Sequence, residues 1–563
     1  MNAIQGNDRK GDRVSEQITR MNIEGMTCAH CEATVKRALE DTGARDANAD
    51  FLRGEATFDL PSEVETEALE NAVREAGYEP GAIERIGHQP EEARIGSDDY
   101  DYDLAIIGSG GGAFAAAIRA IDNGARVAMA ERGTIGGTCV NVGCVPSKTL
   151  LRGAEIHHQA SHHPFEGIGT KPGAVDYGAM VAQKDELVST MRQEKYTDLV
   201  DEYGWDLIEG EATFEDEETL RVGDRTIRAA SYLISTGARP AVPEIPGLEE
   251  TGYLTSTTAM DLDEMPESVL VIGAGYVALE QGQLLSHLGS RVTLMQRGPR
   301  LLRDYEPEVS EAMMEALGRD GIEILTGTHI QRAEKTESGK RLYVTVDGEE
   351  RVLEGEEILV AAGRKPNVEE LGLDLAGVDL DERGAVRVDE RLQTTNPRVW
   401  AAGDVTLGPQ FVYVAAYEGA LVVDNALSGA ERTLDFSALP GVIFSDPQVA
   451  TVGVTEQQAR EAGREVQTSV LPLNAVPRAL VNHDTLGVIK LVADAETNQL
   501  IGAHVVAENA GDVIYAATLA VKFGLTISDL TDNFAPYLTM SEGLKLAAQT
   551  FGRDVSKLSC CAA

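Results

Sequence analysis

Two stretches of this chain repeat one pattern, and that repeat restricts the possible folds more than any other feature. Leu104 to Ile107 reads as a short apolar strand. Gly108-Ser109-Gly110-Gly111-Gly112-Ala113 follows, then a small-residue helix through Ala120 and a strand from Arg126 to Ala130. The same order returns as the strand Val269 to Ile272, the turn Gly273-Ala274-Gly275, a helix over about Val277 to Leu288 and the strand Arg291 to Met295. In such a turn the first glycine permits the tight bend. The second lets backbone amides approach a pyrophosphate at the helix N-terminus, and the small third residue lets helix and strand pack closely. Gly108, Gly110 and Ala113 fit one turn; Gly273, Gly275 and Ala278 fit the other. The expectation is an α/β chain with two Rossmann-like nucleotide-binding units.

The units differ at the end of their second strand. Glu131 ends the first and can accept hydrogen bonds from both ribose hydroxyls. Gln296 and Arg297 stand at the matching place in the second. A carboxylate there would repel a 2'-phosphate, whereas Arg297 and nearby Arg303 can pair with one. NADPH is therefore expected in preference to NADH.

At 563 residues the chain is too long for a single core. Residues 16–83 read as a small ferredoxin-like βαββαβ module and 84–100 as an acidic linker. From about Ala438 onward strands and helices alternate in an α+β pattern. Acidic residues number 92 against 49 basic ones, a net charge of -43 spread along the chain, which excludes a nucleic-acid partner. The charge resembles that of proteins from salt-adapted organisms, so low salt is expected to weaken the fold through unscreened repulsion. No run of 18 apolar residues occurs and the first twenty residues lack a secretory apolar core, so no membrane insertion and a cytoplasmic location are expected.

The six cysteines fall in three close pairs, Cys28/Cys31, Cys139/Cys144 and Cys560/Cys561, which suits thiol chemistry or soft-metal handling better than a disulfide framework. The run Gly137-Thr138-Cys139-Val140-Asn141-Val142-Gly143-Cys144-Val145-Pro146-Ser147-Lys148 is the most specific chemical signal. Two cysteines five apart on a helix turn can bridge with modest bending, and their disulfide can take up two electrons from a flavin. By position Cys144 suits the flavin side and Cys139 the exchange side. His157, His158, His162 and His163 also cluster, but no cysteine or carboxylate stands at ligand spacing from them. They read as helix-end and loop residues.

From Tyr102 onward the chain resembles the flavoprotein disulfide oxidoreductases, the family of glutathione reductase and dihydrolipoamide dehydrogenase. The resemblance rests on the first turn, the Cys139-to-Lys148 run, Ser235-Thr236-Gly237, Gly273 to Glu280, Ala361-Ala362-Gly363-Arg364 and Ala401-Ala402-Gly403-Asp404. It implies an FAD-binding domain over 101–240 and 366–437, an NADPH-binding domain over 241–365 and a dimerisation domain over 438–563. It further implies FAD contacts at Gly108, Gly110, Ala113, Glu131, Gly137, Thr138, Lys148, Thr236, Gly237 and Asp404. NADPH contacts are implied at Gly273, Gly275, Tyr276, Ala278, Arg297, Arg303 and Gly363. In that family Lys148 and Glu280 would pair near the flavin, and Tyr276 would gate the nicotinamide pocket.

One departure narrows the resemblance. Disulfide reductases of the family carry a His-Pro-Thr-x-x-Glu segment whose histidine, from the partner subunit, shuttles a proton. Here the run is Tyr537-Leu538-Thr539-Met540-Ser541-Glu542, and a phenol is a poor proton shuttle at neutral pH. With the terminal pair Cys560-Cys561, with Tyr196 in Glu194-Lys195-Tyr196, and with the runs Gln410 to Val414 and Val476 to Leu480, the chain resembles the mercuric reductase branch. That implies thiol-bound Hg(II) as substrate, passed from Cys560 and Cys561 to Cys139 and Cys144 of the other subunit in a homodimer. Hg(II) is soft and prefers two thiolates, so transfer by thiolate exchange fits its chemistry.

Gly25-Met26-Thr27-Cys28-Ala29-His30-Cys31 resembles the heavy-metal-associated domain, which implies Cys28 and Cys31 as metal ligands, with Met26 packed inward and His30 facing solvent. A thioredoxin-like redox pair is the rival reading of that CxxC. For the whole chain the rivals are a dihydrolipoamide-type thiol/disulfide oxidoreductase and a non-enzymatic soft-metal carrier. Tyr537 and Cys560-Cys561 stand against the first, and two nucleotide units against the second.

Overall fold

Gly108 and Gly273 both hold positive φ, +105° and +121°, where an L side chain is strained. A Cβ on Gly108 would lie 2.4 Å from the Ser235 carbonyl oxygen, and one on Gly273 would lie 2.2 Å from that of Ala361. Each turn is thus pressed against the end of another strand of its own sheet, which only glycine allows. The structure, a computed structural model, describes residues 18–26, 29–50, 54–60, 64, 66–85 and 99–553. The chain forms two compact units, residues 1–95 and 96–563.

In the first unit the order is β1 (Ile18–Glu24), α1 (Ala29–Asp41), β2 (Arg45–Asp50), β3 (Glu55–Asp59), α2 (Thr66–Glu75) and β4 (Glu79–Arg85). The antiparallel sheet runs β2-β3-β1-β4, the ferredoxin-like arrangement. Met21, Val35, Leu39, Phe58, Leu69 and Val73 form its core. Met26 packs inward and Cys31, in the first turn of α1, is buried. Cys28 and the side chain of His30 lie outside the described residues, as do most of the acidic linker and the tail with Cys560 and Cys561.

The second unit opens with β5 (Tyr102–Ile107), α3 (Gly111–Asp122), β6 (Val127–Glu131), α4 (Gly137–Val142) and α5 (Cys144–His162). Parallel strands run in the order Asp206–Glu209, β6, β5, Arg225–Ile234, Val399–Ala401. Leu104, Ile106 and Met129 are fully buried, as expected for parallel strands covered on both faces. Each such side chain contributes about 1.5–3 kcal/mol by leaving water. The second nucleotide unit repeats the plan, with Ser268–Ile272 between Arg291–Met295 and Glu357–Val360 in a five-stranded parallel sheet. Its helix spans Tyr276–His287. A five-stranded antiparallel sheet follows, ordered Pro440–Ile443, Gln448–Gly453, Leu500–Ala507, Val488–Asp494, Val466–Pro472. The helix Ala510–Lys522 packs on it.

A close approach places the first site. A Cβ on Gly419 would sit 2.0 Å from the Gly112 carbonyl oxygen. The helix Val412–Ser428 therefore meets α3 backbone to backbone. The same helix holds the residue before Asp404: the Gly403 amide donates to Glu418 Oε2 at 2.6 Å.

The cysteines do not share one helix turn, as their spacing suggested. Cys139 lies within α4, Cys144 opens α5, and Gly143 between them breaks the helix at φ -126°, ψ -112°.

Candidate active site

Because Cys144 begins a 19-residue helix, its sulfur faces the positive end of the helix dipole. The Cys139 thiol donates a hydrogen bond to the Cys144 sulfur, and Lys148 adds positive charge. These outweigh burial and the Glu280 carboxylate, and the Cys144 pKa falls to about 6. The same hydrogen bond, then burial and the neighbouring thiolate, push the Cys139 thiol far above its ordinary range. At neutral pH the reduced pair is one thiolate and one thiol sharing a proton.

Lys148 is one turn into α5. Its Nζ lies 2.7 Å from Glu280 Oε2 and 4.7 Å from the centre of the Phe444 ring. The other Glu280 oxygen accepts a 2.9 Å hydrogen bond from the Phe444 amide. Glu280, only 6% exposed, is thus fully engaged.

Tyr196 sits on a single π-helical turn, Gln193–Thr197, an irregularity that often marks functional sites. Its ring meets Phe114 edge-on at 4.8 Å. Burial, then the charges of Cys139 and Cys144, raise the Tyr196 phenol, so it remains a hydrogen-bond donor beside the dithiol. Tyr413 approaches from another side, and burial, then Tyr276 and Cys144, raise its pKa. Its hydroxyl donates to the Pro440 carbonyl at 2.6 Å, and its ring stacks on Phe411 at 5.2 Å. Sequence reasoning did not single out Tyr413 or Phe444. Tyr413 had a signal, since it lies within the Gln410-to-Val414 run; Phe444 had none.

Two cavities border this centre. One, of about 310 Å³, is lined by Gly108, Glu131, Gly137, Thr138 and Thr236 among others. Glu131 is held there by the Ser109 hydroxyl and the Gly133 amide, each donating at 2.6 Å. Gly110 caps α3 and Ala113 is fully buried behind it. The other, of about 460 Å³, is lined by Gly275, Tyr276, Gly363, Arg364 and Phe411 among others. The Tyr305 hydroxyl donates to that of Tyr276, whose ring lies 5.8 Å from Phe411. Ala278 is buried in the helix behind this turn. Arg297 and Arg303 are exposed beyond the strand Arg291–Met295, with Arg303 3.4 Å from Asp304. Asp404 pairs with Arg364 at 3.1 Å, and burial raises its carboxyl. Gly237, at φ +68°, follows Thr236 beside Asn367. Tyr537 is half-exposed, and Glu542 Oε2 accepts from the Leu538 amide at 3.3 Å.

These features suit a dinucleotide at each turn: a first glycine no Cβ can replace, a fixed carboxylate after the second strand of the first unit and none in the second. Residues 102–419 match the pyridine nucleotide-disulphide oxidoreductases, 439–548 their dimerisation domain, and 20–79 the heavy-metal-associated domain. The mercuric reductase of Staphylococcus aureus is 58% identical over 98% of this chain and 100% of its own length. The chain belongs to the mercuric reductase family. The family's Lysinibacillus sphaericus protein is 54% identical over 96% of this chain and 99% of its own. Among solved structures, the HOCl-induced flavoprotein disulfide reductase RclA of Escherichia coli superposes with a TM-score of 0.72. It is 32% identical and covers 80% of this chain and 99% of its own. Mercuric reductases and their wider family use FAD and NADPH. No helix among the described residues is long and apolar enough to cross a membrane.

The histidines do not behave as their spacing suggested. His158 on α5 stacks on His287 at 3.8 Å, and both face Asp320. A carboxylate does reach the cluster, from just past the end of the helix Pro307–Arg319, 162 residues beyond His158 in sequence.

Proposed function

We propose that this chain reduces thiol-bound Hg(II) to Hg(0) at the expense of NADPH, with Cys139 and Cys144 as the dithiol that receives the ion. One hydride equivalent reduces one Hg(II), giving NADP⁺, a proton, Hg(0) and two released thiolates. When bound, FAD carries the two electrons between nicotinamide and dithiol. Gly108, Gly110, Ala113, Glu131, Gly137, Thr138, Lys148, Thr236, Gly237 and Asp404 would hold it. Gly273, Gly275, Tyr276, Ala278 and Gly363 would hold NADPH, with Arg297 and Arg303 toward its 2'-phosphate. This reading assigns FAD to 101–240 with 366–437, NADPH to 241–365 and the dimer contact to 438–563.

The observation that carries the proposal is the likeness to mercuric reductases along nearly the whole chain, and the dithiol suits that chemistry. Cys144 is a thiolate at neutral pH and Cys139 keeps its proton, so one sulfur can attack a mercury–thiolate bond at once. The incoming dication then favours loss of the second proton, and two sulfurs can hold the ion in near-linear array. The Tyr196 phenol, held protonated, can donate to a departing thiolate. Tyr537, where a disulfide reductase needs a histidine base, can donate but cannot shuttle a proton at neutral pH.

Homodimerisation suits the dimerisation domain. Tyr515, Phe523 and Phe534 there are 64%, 73% and 98% exposed, an apolar surface suited to a partner. On this reading Cys560, Cys561 and Tyr537 serve the dithiol of the partner subunit. Cys28 and Cys31 collect Hg(II) upstream. A reducing cytoplasm, where thiols stay free, suits all three pairs.

FAD-loaded protein with Hg(II), excess small thiol and NADPH tests this directly. Volatile Hg(0) should be trapped in step with NADPH consumed. NADPH oxidation with no Hg(0) would overturn the assignment.

A further inference from the structure

Tyr276 opens the helix Tyr276–His287 and lines the cavity of about 460 Å³ at the second glycine turn. Its ring lies 5.8 Å from that of Phe411, which lines the same cavity, with 31° between the two planes. A flat heteroaromatic ring lying between them would need about 7 Å, two stacking gaps of about 3.5 Å each. The pair as it stands leaves no slot for one. The tips of the two rings also converge. A Cβ on Gly441 would lie 3.3 Å from Phe411 Cζ and 3.5 Å from the Tyr276 hydroxyl oxygen.

One of the two rings has to give way, and the surroundings decide which. Phe411 is backed by Tyr413, stacked on it at 5.2 Å, whose hydroxyl is tied to the Pro440 carbonyl at 2.6 Å. Tyr276 follows Gly275, where an added Cβ would meet nothing within 4 Å, so it has room to turn. Tyr305 holds it in place: the Tyr305 hydroxyl donates to that of Tyr276, and the two rings meet edge-on at 6.1 Å. Tyr305 cannot follow a moving partner. Its amide donates to the Leu302 carbonyl at 2.9 Å, and its own carbonyl accepts from the Arg300 guanidinium at 3.1 Å. The next residue, Glu306, is buried and paired with Lys490 at 2.9 Å. Burial raises both phenols, so both hydroxyls keep their protons.

We propose that Tyr305 is a positioning residue that latches the Tyr276 ring across the nicotinamide end of this cavity. The inference rests on NADPH binding at this turn, and adds the residue that holds its entrance shut. Entry of the nicotinamide breaks the Tyr305–Tyr276 hydrogen bond, and the apparent affinity is reduced by the small fraction of unlatched protein. The adenosine end, toward Arg297 and Arg303, meets no such barrier.

The test is equilibrium dialysis of oxidised, FAD-loaded, full-length protein against two probes. One is NADP⁺; the other is adenosine 2',5'-bisphosphate, which has no nicotinamide. Tyr305→Phe should bind NADP⁺ about three- to tenfold more tightly, the worth of one hydrogen bond, and the bisphosphate as the wild type does. Tyr276→Phe should tighten NADP⁺ by a similar factor, and the double variant no further than either single. Unchanged or weaker NADP⁺ binding in Tyr305→Phe would overturn the latch. Equal shifts for both probes would do the same, because Tyr305 would then act on the whole site through packing. So would single effects that multiply in the double variant. A wild type that binds neither probe would remove NADPH from this turn, and the latch with it.

Discussion

Lys148 and Glu280 are joined by a 2.7 Å ion pair across 132 residues of chain. The pair links the helix that begins at Cys144 to the helix that begins at Tyr276. Both charges act on the Cys144 sulfur with opposite sign. Removing them singly should therefore move that thiol in opposite directions. Lys148→Met should raise the Cys144 pKa above about 6, and Glu280→Gln should lower it, each by about one pH unit or more. In the wild type, alkylation by iodoacetamide should slow as pH falls through about 6, because the thiolate is lost there. The pH profile of that rate in reduced holoenzyme measures all three. Shifts of the same sign in the two variants would mean the pair acts only through packing.

Tyr196 and Tyr537 are assigned the same kind of work, hydrogen-bond donation from the hydroxyl to sulfur. Tyr196→Phe and Tyr537→Phe should each lower Hg(0) production about tenfold or more, the worth of a hydrogen bond to a charged group. FAD content should not change. Undiminished turnover in either variant would assign that ring to packing.

Gly419→Ala tests the contact between α3 and the helix that holds Gly403, next to Asp404. The added methyl would lie 2.0 Å from the Gly112 carbonyl oxygen, so the helix must move. A loss of at least about 1–3 kcal/mol is expected from such overpacking, with FAD retention falling alongside. The flavin-to-protein ratio after dialysis, read with the denaturation midpoint, gives the answer.

Lys490 is buried among Glu306, Glu308 and Glu456 at 2.9 Å, 3.0 Å and 2.9 Å. Lys490→Met leaves Glu306, only 2% exposed, without its cation, and should cost about 3–5 kcal/mol. The surface charge behaves differently. At a net charge of -43, repulsion between exposed carboxylates is screened by salt, whereas the buried network is screened much less. The wild-type unfolding midpoint should climb from low to multimolar salt, and the Lys490→Met deficit should persist there. A midpoint indifferent to salt would refute the first statement; a deficit abolished by salt would refute the second.

Removal of residues 1–90 should leave NADPH oxidation intact at saturating thiol-bound Hg(II), since Cys560 and Cys561 can collect the ion themselves. A truncated protein that keeps its flavin but has no such activity would make the first unit part of the catalytic path.

The amino-acid sequence by itself determined the elements with a local cause. The two glycine turns, Glu131 against Gln296 and Arg297, the Cys139/Cys144 run and the Cys28/Cys31 pair are each written within a few residues. A turn, a cap or a ligand pair depends on neighbours along the chain. Tertiary packing alone decided the rest. Gly143 had to be seen breaking the helix before Cys144 could be placed at a helix start, where a thiolate is stabilised. Tyr413 stands near Cys144, Phe444 meets Lys148 and Glu280, and Asp320 reaches His158 and His287, because sheets and helices far apart in the chain pack side by side. No spacing in a linear sequence records that convergence. The direction of a side chain across an interface follows from how two elements cross, and that crossing is set by the whole core.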